Sequence, residues 1–152
     1  MDISIIIFLL GGLFLGWSLG ANDAANVFGT AVGTRMVRFK TAAIVCSIFV
    51  ILGAIISGSG TTETLGKLGA INALPGAFAA CVAAGLSVYL MTKAGLPVST
   101  TQAIVGAIVG WNLYTGSDTN IRVLITILGT WVLCPVIAGV IAMGFFTITK
   151  NY

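Results

Sequence analysis

Apolar residues fall into five long runs separated by short polar breaks. The first starts at about Ile5 and carries no charge through Leu19. It then takes in Asn22, Asp23 and Asn26 and ends at Gly33. Arg35, Arg38 and Lys40 form a basic loop after it. The second run is Thr41 to Ser57, and Gly58 to Glu63, with Lys67 beyond, reads as a polar loop. The third is Ala73 to Thr92, closed by Lys93 to Pro97. The fourth, Val98 to Leu113, is short and opens on hydroxyls, and Thr115 to Asp118 makes the next turn. The fifth, Val123 to Thr149, has Pro135 in its middle, which predicts a kink. Crossing a bilayer takes about 20 apolar residues. The pattern therefore predicts an all-α integral membrane unit of about five hydrophobic segments. A straight first segment would reach ~45 Å against a hydrocarbon core of ~30 Å, so a helix broken near Gly20 is expected. The fourth segment is short enough to be re-entrant.

Composition points the same way. Of 152 residues, 58% are hydrophobic and 7% charged, and the mean hydropathy is +1.11. Soluble domains carry roughly 25% charged residues, so no water-facing surface can be built from this set. The net charge of +3 comes from seven scattered cations, which gives no footprint for nucleic acid. If each segment crosses once, Arg35, Arg38, Lys40, Lys93 and Lys150 share one side, and Lys67 and Arg122 the other. The positive-inside rule makes the first side cytoplasmic and the N-terminus external. The expected location is the cell membrane, as a multi-pass protein. The Met1-Asp2 start lacks a basic n-region, so no signal peptide is expected.

Cys46, Cys81 and Cys134 lie in apolar runs, with no CxxC spacing, and there is no histidine. Neither a transition-metal site nor an enzyme is expected, nor a resident cofactor.

Two motifs carry candidate chemistry. In the first, Gly20 to Asn26, a carboxylate and two carboxamides stand where a membrane helix should hold hydrocarbon. Polar groups at such depth are rarely without a partner, ion or substrate. Asn22, Asp23 and Asn26 offer oxygen donors suited to a hard cation such as Na⁺. Asp23 and Asn26, at i and i+3, share a helix face. The alternative is a polar patch that pairs two helices.

The second motif is Leu96 to Gln102. Proline followed by Ser99, Thr100 and Thr101 reads as a helix start. Its free amides and partial positive charge suit an oxyanion, with the hydroxyls and Gln102 beside it. Ordinary capping explains the same residues equally well. Taken together, the motifs offer cation oxygens and anion donors at two helix breaks, the usual construction of a secondary transporter site. Repeats at four residues, Gly12-Gly16-Gly20, Gly29-Gly33 and Gly106-Gly110, read as grooves for close helix packing. Trp17, Trp111, Tyr114 and Trp131 read as packing or interfacial residues.

Gly20 to Gly33 resembles the signature of the PiT family of inorganic phosphate transporters, and Pro97 to Ala107 resembles that family's second block. The resemblance implies symport of phosphate with Na⁺ or H⁺, some relatives carrying sulfate instead. It places Asn22, Asp23 and Asn26 in the ion and substrate site, and Ser99, Thr100 and Thr101 beside the anion. Where the family's second block reads Ser-Thr-Thr-His, this chain has Gln102, which cannot titrate; Na⁺ coupling gains weight. The family pattern occurs twice in inverted halves, and this chain has one copy. Residues 1–152 are therefore expected to form a single repeat unit, one half of an inverted-repeat transporter. The expected partners are inorganic phosphate, Na⁺, membrane lipid and a second PiT-like half, either a complementary chain or an antiparallel copy. A module that only assembles in the membrane, without transporting, is the other reading.

Overall fold

The computed structural model describes residues 3–69 and 74–150. Five α-helices account for nearly all of them: α1 (Ile3–Gly33), α2 (Phe39–Leu68), α3 (Leu74–Lys93), α4 (Thr100–Thr115) and α5 (Ile121–Lys150). Ala73, the expected start of the third segment, lies outside the described residues.

Several sequence expectations change. The helix α1 passes through Gly20 without a break. Asn22 and Asp23 are held by side-chain hydrogen bonds to neighbouring elements, so no unwound turn is needed to hold them. Gly58 to Lys67 is not a loop but the end of α2. There Thr62 and Thr64 donate to the carbonyls of Gly58 and Gly60 one turn back, at 3.0 and 2.9 Å, which lets hydroxyl residues sit within a helix. Lys67 and Glu63 pair along the same turn. Pro135 lies inside α5.

Four helices, α1, α2, α3 and α5, are long and apolar enough to cross a membrane. At 16 residues, α4 is about 24 Å long, short of the ~30 Å hydrocarbon core.

Helices α1 and α3 run parallel in close contact. Phe8 meets Phe78, Trp17 meets Tyr89, and Asn22 meets Thr92, in ascending order along both. Backbone proximity makes this possible: a Cβ on Gly85 would lie 2.8 Å from the Phe14 ring and 3.3 Å from Leu15 Cα, and one on Gly11 2.8 Å from Phe78. By contrast Gly12, Gly16, Gly20, Gly29, Gly33, Gly106 and Gly110 face open space. Among the described residues the close packing falls on Gly11, Gly69, Gly76 and Gly85 and not on the four-residue repeats.

Helix α4 folds back along α3. Trp111 lies against Gly76 at the start of α3, and the buried Asn112 lies against Gly69, just past α2. The hairpin tip, Ala94–Ser99, stands beside Asn22, about 17 Å short of the C-terminal end of α1 at helical rise. Gly95 turns the tip with φ 73°, a conformation that other residues adopt only under strain. The core, Leu68, Ala80, Val105 and Ile108, lies away from the tip and is covered by Val123, Leu124, Ile127 and Trp131 of α5.

Candidate functional site

The first motif meets the second at the hairpin tip. Asn22 is buried on α1 and links three elements. Its Nδ2 donates to the Val98 carbonyl at 2.6 Å and to Asp23 Oδ1 at 2.8 Å. Its Oδ1 accepts from the Thr92 hydroxyl at 3.3 Å. Thr100, buried at the first position of α4, donates through Oγ1 to Asp23 Oδ1 at 3.3 Å. Asp23, half-buried, thus has one carboxylate oxygen fixed from two sides, while its other oxygen has no hydrogen bond among the described residues.

Ser99 caps α4, its Oγ accepting from the Gln102 amide at 3.3 Å. Capping uses a lone pair and leaves the hydroxyl proton available. An open pocket of about 270 Å³ lies alongside, lined by Asn22, Asn26, Thr92, Gly95, Leu96 and Pro97 together with Ala21 and Ala25. Asn26 is exposed, lines this pocket and makes no hydrogen bond to Asp23 among the described residues.

The hydroxyls of the second motif do not converge. Successive helical residues point about 100° apart. Thr100 therefore faces Asp23, while Thr101 lines a separate pocket between α2, α4 and α5. The Gln102 side chain is exposed and makes no hydrogen bond among the described residues. Thr92 was missed from the sequence. A single threonine near the end of an apolar run is a common and unremarked feature; only its distance in space from Asn22 gives it a part. Among the described residues no group of three or more acidic, cysteine or histidine side chains gathers as a metal centre.

In chemical terms, the junction presents a fixed carboxylate, a carboxamide, a hydroxyl proton at Ser99 and the unpaired amides of the first turn of α4. The carboxylate attracts a cation, and the helix start attracts an anion.

A model of the phosphate transporter family matches residues 19–152, which includes both motifs. The chain belongs to that family. Three relatives, each bearing the name "Putative phosphate permease", illustrate the range. The one from Thermococcus kodakarensis is 35% identical over 162 residues, covering 99% of this chain and 40% of the relative. The one from Pyrococcus abyssi is 35% identical over 156 residues, covering 96% and 38%. The one from Haemophilus influenzae is 34% identical over 152 residues, covering 92% and 36%. This chain thus spans about two fifths of the length of the relatives it matches. No solved structure matches it significantly. Family and apolar helices agree that this is a multi-pass membrane protein.

Proposed function

We propose that this chain forms one half of a transporter that carries inorganic phosphate across the membrane together with a cation, Na⁺ in preference to H⁺. The observation that carries the reading is the hydrogen bond from Thr100 to Asp23. It brings a carboxylate to the N-terminal turn of a helix, which by itself attracts anions. A bare carboxylate there repels phosphate. A cation bound at Asp23 removes the repulsion, and a bound phosphate strengthens the cation's hold in return. Such coupling is reciprocal, which is the thermodynamic core of symport.

In this scheme Asp23 and Asn26 hold Na⁺, with Asn22 orienting the carboxylate. Ser99, Thr100 and the free amides of α4 meet phosphate. Gln102 has no titratable proton, which favours Na⁺ over H⁺ as the coupling ion. The matching family and the names of the relatives support phosphate as the substrate. The span of about two fifths of those relatives supports a missing second half. A complementary chain suits the one-sided cation count better than an antiparallel copy does.

The test is uptake of labelled phosphate into proteoliposomes holding the complete transporter. A Na⁺ gradient is expected to drive uptake, a choline gradient is not, and excess sulfate should compete weakly. Uptake driven equally by a pH gradient without Na⁺ overturns Na⁺ coupling. Sulfate outcompeting phosphate reassigns the substrate. No uptake under any gradient leaves the assembly-module reading.

A further inference from the structure

The turn between α1 and α2 gathers charge without neutralising it. Arg35, Arg38 and Lys40 are all exposed, and none forms an ion pair among the described residues. The opposite end of α2 is balanced. There Lys67 pairs with Glu63, and Asp118 and Arg122 stand at the start of α5, which is tied to Leu68 through Asn120. Both α1 and α2 are long and apolar enough to cross a membrane. The short irregular turn that joins them therefore lies at a membrane surface, outside the hydrocarbon.

The backbone of this turn is strained at an arginine. Arg35 has φ 62°, and among the described residues no other residue but glycine has a positive φ. Glycine ends helices in that conformation at no steric cost. The bonds that close the turn, from Arg35 N to the Val32 carbonyl at 3.0 Å and from Val37 N to the Ala31 carbonyl at 3.1 Å, use backbone atoms alone. The arginine side chain is thus not what shapes the turn, and strain kept at such a position points to function. Met36 and Phe39 stand between the cations, 81% and 74% exposed. Beyond Lys40, the exposed Ile44, Ile51 and Ile55 continue along one face of α2.

We propose that the Arg35–Lys40 turn binds an anionic phospholipid of the cytoplasmic leaflet. The two guanidinium groups and the Lys40 ammonium hold the headgroup phosphate, which arginine recognises through paired N–H donors. Met36 and Phe39 enter the headgroup boundary, and the acyl chains lie along the isoleucine stripe of α2. A free hydrated anion would satisfy the cations but leave the apolar residues between and beyond them unused; a lipid satisfies both. The side is set by the same charges, since the positive-inside rule turns this end to the cytoplasm, where the leaflet is negatively charged.

Native mass spectrometry of the detergent-purified transporter, titrated with phosphatidylglycerol or with phosphatidylcholine of the same chains, tests this. Neither the transported substrate nor the coupling ion enters the measurement. The wild type should retain phosphatidylglycerol in preference. Arg35→Gln/Arg38→Gln/Lys40→Gln should bind it roughly a hundredfold more weakly, about a factor of five for each cation. Arg122→Gln, at the balanced end, should bind it as the wild type does. Arg35→Gly should bind it about fivefold more weakly without losing thermal stability, because glycine suits the backbone there. Inorganic phosphate should displace no more lipid than chloride of the same ionic strength. Equal retention of the two lipids, or wild-type affinity in the triple variant, overturns the proposal. Specific displacement by phosphate also overturns it, by assigning the cations to the free anion. If the triple variant does not fold, Arg35→Gly decides alone: undiminished phosphatidylglycerol binding overturns the proposal, and weaker binding supports it.

Discussion

The Thr100 hydroxyl reaches Asp23 Oδ1 at 3.3 Å across 77 positions of sequence, joining the middle of α1 to the start of α4. The same carboxylate oxygen accepts from Asn22, which also bonds the hairpin tip through Val98. One acidic residue is thus shared by both motifs, and the site depends on the hairpin being docked.

Asp23→Asn keeps the shape of the junction and removes its charge. Na⁺-driven phosphate uptake should fall by roughly ten- to a hundredfold, the scale of a lost interaction with a charged group. Assembly, read by size-exclusion chromatography, should be unchanged. Uptake near the wild-type rate would dismiss the ion-site role.

Thr100→Val deletes the donor to Asp23, and Thr100→Ser keeps it. The valine variant should weaken apparent phosphate affinity by about tenfold and the serine variant by less than about threefold. Equal effects from the two would show that the methyl group, not the hydroxyl, matters at this position.

Glycine substitutions should separate packing from open faces. Gly85→Ala forces a methyl into the Phe14 ring and should destabilise by about 1–3 kcal/mol. Gly16→Ala meets open space in this chain and, by helix propensity, should be neutral or slightly stabilising. Thermal unfolding in detergent reads both. A large loss at Gly16 would show that a partner segment packs on that face.

At the other end of α4, Gly69 has no room for a Cβ because the Asn112 amide fills the space. Asn112 donates to the Thr119 hydroxyl at 3.0 Å, and its Oδ1 is buried with no partner among the described residues. Gly69→Ala should destabilise by about 1–3 kcal/mol. Asn112→Ala opens the space, so the two changes should be strongly non-additive. Strict additivity would mean that the two residues do not share this contact.

Much of the fold could be read from hydropathy alone, because every helix contains a run long enough to recognise. Boundaries were less legible where polar residues were satisfied locally. Thr62 and Thr64 bond their own helix, so the polar end of α2 looks like a loop in sequence yet stays helical. Gly20 suggested a break, but a glycine permits one without requiring it, and Asn22 found its partners in space. At the site, Asn22, Asp23 and Thr100 do come together. Thr101 does not join them, because adjacency in a helix separates side chains by a quarter turn or more. Thr92 and Asn112 gave no signal beyond being single polar residues in apolar surroundings, and their roles depend on tertiary contacts that no local pattern records.

The continuity of α1 past Asn22 has a mechanical consequence. An unbroken helix is a stiff rail, so relative motion at the junction falls to the turn docked against it. That turn joins a left-handed glycine, Gly95, to a ring-locked Pro97 two residues on. The Asn22 carboxamide pins that turn to the rail through Val98 and ties the end of α3 to it through Thr92, while Asp23 holds the start of α4 through Thr100. Two neighbouring side chains on one stiff helix thus fix both ends of the connection, and loosening either would free only one of them.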